Sequence, residues 1–191
     1  MAPEQENRTA AIAVSLCAAA GLIFALFSRQ WLVNGLGDEL FGLREHASCS
    51  SHQCAVDSNA AFVAMIQGVG GRMGDLASSA FSPAGWVTSA TCALAALGLL
   101  VAAALALAGA RPNLPISPST IALLGAMAGL IAGCVFVATK PGEPGFIGIG
   151  MGFWVFGISS VAAIAGAQLL AKVNRPPDPD LMDDAMNPDQ F

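Results

Sequence analysis

The sequence predicts an all-α membrane protein, an antiparallel bundle of four transmembrane helices. Only 11% of its 191 residues are charged and 55% are apolar, whereas soluble domains carry about 25% charged residues. Four apolar runs lack Asp, Glu, Lys, Arg and His, and each has the roughly 20 residues that a helix needs to cross a bilayer. The last three runs are joined by short connections, which predicts antiparallel neighbours.

The apolar runs divide the chain into nine segments. The first run continues beyond the small residues Ala18–Ala20, so a retained helix fits better than a cleaved signal peptide. The segments are an N-terminus at 1–8, crossings at 9–28, 86–110, 119–138 and 146–171, a large loop at 29–85, connections at 111–118 and 139–145, and an acidic tail at 172–191.

Basic residues indicate the orientation. Four crossings place both termini on the side of the 111–118 connection, and the eight Lys and Arg residues divide equally between the two sides. Those on the terminal side lie in short segments beside helix ends, where they have more influence on topology. The prediction is therefore a multi-pass protein of a plasma membrane or bacterial inner membrane, with cytoplasmic termini and an extracellular large loop.

Two patterns follow one another in the large loop. Residues 31–56 alternate apolar residues with turn residues such as Asn34-Gly35, which predicts short strands of a small sheet. Asp57 or Ser58 is then expected to cap an amphipathic helix that ends before Ser82-Pro83 and covers the sheet or lies on the membrane surface. Its apolar face is predicted from spacings of three and four: Phe62, Met65, Ile66, Val69, Met73 and Leu76.

The five cysteines form two groups. Cys17, Cys92 and Cys134 lie in apolar runs and are read as packing residues. Cys49 and Cys54 lie in the loop and are predicted to form a disulfide in an oxidising compartment. With His46 and His52 they also offer zinc-ligand chemistry, but the spacing is tighter than in usual zinc sites, so no metal is predicted.

Small residues recur on the third and fourth crossings. They spell Gly125-x-x-x-Gly129-x-x-x-Gly133 and Gly148-x-x-x-Gly152, and such faces allow helices to approach closely in lipid. The prediction is that these two helices pack together through their glycines. The alternative, that Gly and Ala are simply abundant in this chain, stays open.

Several functional classes fit the sequence poorly. No ionisable residue lies within a crossing, which argues against a transporter, and no catalytic constellation or phosphate-binding motif predicts an enzyme or a cofactor. A net charge of −5 argues against nucleic acid as a partner. The tail at 172–191 is predicted to be disordered and solvated, and it could dock to a cytoplasmic partner through Phe191.

The loop motif resembles that of the claudin and peripheral-myelin-protein-22 superfamily, whose first loop carries a W…GLW…C…C signature. Here the matching residues are Trp31, Gly42-Leu43, Cys49 and Cys54. Arg44 stands where the family has its second tryptophan, the cysteines are closer together than usual, and the second outer loop is short. With the Ala-rich composition, these departures indicate a distant or non-animal relative, and the short second loop argues against a tight-junction role.

The resemblance implies a left-handed four-helix bundle with a small extracellular sheet that a Cys49–Cys54 disulfide crosslinks. It also implies that Trp31 packs where the sheet meets the bilayer. It implies association rather than chemistry. We therefore expect a non-enzymatic protein surrounded by membrane lipid that self-associates, adheres or scaffolds through its extracellular loop, as a homo-oligomer or with a larger membrane-protein partner. The alternative is an accessory subunit of a respiratory, transport or secretion complex.

Overall fold

The computed structural model describes residues 3–50, 53–70, 76–110, 114–142 and 145–174. The predictions for His52, Met73 and the tail beyond residue 174 therefore lie outside the described residues.

Four long helices dominate the described part of the chain. They are α1 (Pro3–Phe27), α3 (Phe81–Ala108), α4 (Pro118–Ala138) and α5 (Met151–Val173). Each is long and apolar enough to cross a membrane, α1 through its portion Asn7–Phe27. These helices indicate a multi-pass membrane protein, as the apolar runs predicted.

Three helix starts differ from the predicted boundaries. Helix α1 begins at Pro3 and not at residue 9. Helix α3 begins at Phe81, so Ser82-Pro83 lies inside its first turn instead of ending the loop. Proline is tolerated there because the first backbone N–H groups of a helix have no partner within it. Helix α5 begins at Met151, after Gly150 in an extended conformation, and not at residue 146.

The residues before α5 join the sheet. Strands β1 (Leu32–Asn34), β2 (Glu39–Phe41), β3 (Glu45–Ser50), β4 (Gln53–Ser58) and β5 (Ile147–Ile149) form an antiparallel sheet in the order β4-β3-β2-β1-β5. The first four strands confirm the predicted small sheet. The fifth was not predicted, because its apolar sequence runs directly into the helix and only pairing with β1 makes it a strand.

Helix α2 (Asn59–Val69) follows β4 and lies beside the sheet. The Ser58 hydroxyl accepts a hydrogen bond from the Ala61 N–H at 3.1 Å, which confirms the predicted cap. The predicted apolar face is divided in the structure. Phe62 and Ile66 pack on the core, whereas Met65 and Val69 are 63% and 71% exposed.

Close helix contacts occur at glycines, but mainly between other pairs than predicted. A Cβ on Gly125 would lie 2.9 Å from the Ala95 backbone nitrogen of α3, and one on Gly129 would lie 3.2 Å from the Thr91 hydroxyl. Gly133 lies against α5, where its Cβ would be 2.6 Å from the Phe156 ring, and a Cβ on Gly129 would lie 3.8 Å from the same ring. The glycine face of α4 therefore packs largely on α3.

The glycine pair assigned to the fourth crossing is also corrected. Gly148 lies in β5 rather than in a helix. Gly152 lies in α5, and a Cβ there would be 2.8 Å from both the Ser28 hydroxyl and the Trp31 ring. It thus accommodates the segment that follows α1. The reason is that β1 recruits residues 147–149, which moves the start of α5 past Gly148.

An aromatic cluster joins the sheet to the helices. Trp31 is fully buried, and its indole N–H donates to the Ala25 carbonyl of α1 at 2.6 Å. Its ring centroid lies 4.9 Å from that of Phe156 in α5 and 5.8 Å from that of Phe136 in α4. Phe136 stacks in turn on Phe81 of α3 at 4.5 Å. All four long helices therefore contribute to holding one loop residue.

Candidate interaction surface

The described residues from Trp31 to Val69, together with β5, are called the sheet module below, and its motif residues fix it to the helices. Gly42 donates its N–H to the Glu45 carbonyl at 2.8 Å and accepts from the Asn59 side-chain amide at 3.0 Å. A Cβ on Gly42 would lie 3.1 Å from the Ser28 carbonyl oxygen. Leu43 is buried, and its carbonyl occupies the place that a Cβ on Gly85 would need. These residues have structural roles.

Arg44 occupies the position at which the loop departs from the family signature. Its guanidinium carbon lies 5.5 Å from the ring centroid of Trp86 in α3, which is cation–π geometry. Trp86 itself is 58% exposed. The Arg44 side chain therefore contacts an aromatic ring of α3.

The two loop cysteines form a disulfide, as predicted, between facing positions of β3 and β4. Both thiols are thus unavailable to a metal ion. The zinc hypothesis also included His52, which lies outside the described residues. Within the described residues, no group of three or more His, Cys, Asp or Glu side chains could hold a metal.

Strand β4 forms one edge of the sheet, and all six of its residues are exposed. Asn59 donates its N–H to the Arg44 carbonyl at 3.0 Å. On the other side of β3, the Cys49 N–H donates to the carbonyl of Asp38, the residue before β2, at 2.7 Å. Since hydrogen-bonding direction alternates along an antiparallel strand, the odd-numbered residues of β4 bond to β3. The backbone groups of Cys54, Val56 and Ser58 consequently point away from the sheet.

A groove of about 480 Å³ lies between α2 and the segment that leads into β5. The Gly142 N–H donates to the Leu76 carbonyl at 2.9 Å and joins the two sides. Apolar side chains line most of the groove, and Glu39 is the charged residue among those described. The apolar lining includes Phe62, Met65, Ile66, Val69, Phe146 and Ile147.

His46 lies behind the groove in an apolar environment. Its ring is buried between Phe41 and Phe62, with centroid distances of 4.6 Å and 4.2 Å. Burial lowers the pKa of His46, while the carboxylates of Glu39 and Asp57 partly oppose the shift. Its Nε2 lies 3.7 Å from the Glu39 carboxylate and has no hydrogen-bond partner among the described residues.

The structure brings some of the predicted site residues together and separates others. Trp31, Gly42-Leu43, Cys49 and Cys54 all belong to the sheet module, whereas the glycines of α4 lie along a helix. Sequence reasoning missed the edge of β4 and the groove. The exposed apolar residues of α2 were in the predicted pattern, but their spacing could not show that two of them face outward.

A scan of protein-family models finds none that matches this chain, and a search of curated proteins finds no match either. The likeness to the claudin superfamily therefore stays a prediction from the four crossings and the loop motif.

Proposed function

We propose that the protein is a non-enzymatic, claudin-like membrane protein that associates laterally with further copies of itself through β4. The observation that carries this proposal is the edge of that strand, which is exposed along its full length with three residues directed outward. An unpaired strand edge is a template for another strand, and backbone pairing of this kind is a common mode of recognition.

The outward residues favour a symmetric pairing of two β4 strands. If Val56 of one copy faces Val56 of the other in an antiparallel register, Cys54 of each copy faces Ser58 of its partner. All three outward positions then form backbone hydrogen bonds. The register also sets Asp57 opposite Ala55, so the like charges of two Asp57 side chains do not oppose one another. Such a contact is isologous and closes as a dimer.

The attachment of the sheet module supports lateral association. The module adjoins the end of α1, the start of α3, the end of α4 and the start of α5, which corresponds to an antiparallel bundle of four crossings. It is held there by Trp31 and Leu43, so the edge of β4 keeps a fixed position relative to the apolar helices. We place the module outside the cell and both termini in the cytoplasm, since its disulfide persists in an oxidising compartment.

The test uses a proline at position 56. Val56→Pro removes an outward N–H and leaves the hydrogen bonds between β3 and β4 intact, and proline is tolerated at sheet edges. In lipid nanodiscs or gentle detergent, wild-type protein should form dimers by mass photometry, and Val56→Pro should be monomeric. Val56→Thr keeps both the N–H and the β-branched side chain and should associate like wild type.

Folding of the proline variant is checked independently. Cys49 and Cys54 should resist thiol labelling without reductant in both variants. Equal self-association of folded Val56→Pro and wild type would refute the edge contact. A single stoichiometric partner of different sequence, lost when residues 176–191 are deleted, would instead support an accessory subunit.

A further inference from the structure

The groove beside α2 has the size and lining of a ligand site. Its volume of about 480 Å³ falls within the roughly 300–1,000 Å³ typical of small-molecule sites. Met65, Val69 and Phe146 along it are 63%, 71% and 55% exposed. The groove therefore leaves apolar surface uncovered that a ligand chain could bury.

The groove lies beside the ends of two apolar helices. Pro141 in its lining follows α4, which ends at Ala138, and Ile147 shortly precedes α5, which begins at Met151. If these helices cross the bilayer, the groove lies at the level of the lipid head groups. An amphiphile from the membrane leaflet can enter there with its chain on the apolar wall.

Glu39 determines the charge that the groove favours. It is the charged residue among the described lining, and its side chain is 34% exposed. Among the described residues, the nearest basic group is His46 at 3.7 Å. Burial lowers the pKa of His46, so the imidazole near neutral pH does not balance the carboxylate. The nearby Lys140 ammonium donates to the Ile147 carbonyl, and it forms no ion pair with Glu39.

We propose that this groove binds a single-chain amphiphile with a cationic head from the membrane leaflet, the alkyl chain against Met65, Val69 and Phe146 and the ammonium beside Glu39. The proposal is independent of the β4 contact, which uses the exposed backbone edge of β4 and none of these side chains.

Photolabelling in lipid nanodiscs tests the charge preference. The probes are a long-chain alkylamine with a diazirine near the chain end and the matching alkyl alcohol, and peptide mass spectrometry locates the adducts. We expect the amine to label residues 59–69 and 145–147 up to about fivefold more than the alcohol, the ratio that an ion pair of about 1 kcal/mol gives. Equal labelling of these peptides by both probes would overturn the proposal.

Three variants assign the effect to the groove. Glu39→Gln should bring the ratio of amine to alcohol labelling close to one. Glu45→Gln is the matched control, because that carboxylate lies on β3 and pairs with Arg29 at 3.4 Å, and it should leave the ratio unchanged. Met65→Trp, at an exposed position, should lower labelling by both probes by filling the groove.

Two further measurements separate this proposal from others. Val56→Pro should retain the preference for the amine even where self-association is lost, so the two proposals can fail separately. A crosslink between two copies at position 65, formed without any probe, would show that a second copy occupies the groove and would refute the amphiphile.

Discussion

The helices and the sheet module are held together by different means. Contacts between helices occur where a side chain is missing, as at Gly98 and Gly125, because close backbone approach replaces the hydrophobic effect in lipid. The module is fixed by large rings, above all Trp31 and Phe41, both fully buried. Many small residues thus share the packing of the helices, whereas a few bulky residues decide that of the module.

Close contact at glycines and packing of large rings both occur at the boundary between the helices and the sheet module. Gly85 of α3 makes room for the Leu43 carbonyl, and Gly152 of α5 makes room for the Trp31 ring. A missing side chain in a helix thus makes room for a backbone carbonyl or a ring of the module. Three substitutions test how far the difference between the regions extends.

The largest effect is expected for Trp31→Ala in the module. Removing a buried aromatic ring costs about 3–5 kcal/mol, and here it also leaves the Ala25 carbonyl without its indole donor. Trp31→Phe is the control, which keeps an aromatic ring and should lose only about 1–2 kcal/mol. Denaturant unfolding in detergent, followed by circular dichroism, measures both. Similar losses for the two variants would show that the ring is not the anchor.

A smaller effect is expected for Gly98→Ala in α3. The new Cβ would lie 2.8 Å from the Ala122 nitrogen and from the Pro118 carbonyl oxygen, both backbone atoms of α4, and overpacking of this kind costs about 1–3 kcal/mol. Gly157→Ala is the control, since among the described residues only backbone atoms of its own helix lie within 4 Å of its Cβ position. It should be neutral or stabilising by up to about 1 kcal/mol. Unfolding of both variants under the same conditions makes the comparison, and equal stability would contradict close helix contact at Gly98.

The smallest effect is a dependence of stability on pH that belongs to the module alone. Because burial lowers the folded-state pKa of His46 below its ordinary value of 6.5, the unfolded chain binds more protons as the pH falls through that value. The contribution of His46 is therefore complete above its ordinary pKa and is lost as the pH falls below it. Glu39 on β2 and Asp57 on β4 limit the loss.

The measurement is the free energy of unfolding between about pH 7.5 and pH 5, above the range in which most carboxylates titrate. His46→Phe, which keeps a ring between Phe41 and Phe62, should show a weaker dependence on pH than wild type. Glu39→Gln should show a stronger one, since it removes a carboxylate that raises the pKa of His46. An unchanged dependence in His46→Phe would exclude His46 as its source.

Local features were predictable where the chemistry depends on neighbours in sequence. The Ser58 cap needs only its own hydroxyl and an N–H three residues on, and the cysteine pair needs only two strands that lie close together in sequence. The partners of the α4 glycines were not predictable. Several helices of this chain offer small residues, so composition could not show which one faces them.

The sequence by itself determined four apolar helices, the position of the loop between the first two, the presence of short strands in that loop and its disulfide, because hydropathy and short-range pairing depend on nearby residues. Only the tertiary structure decided that Ile147–Ile149 is a strand, that α4 places its glycines on α3, and that Met65 and Val69 border a groove with Glu39. Each of these depends on which distant segment lies alongside, and several segments of similar composition could have filled that place.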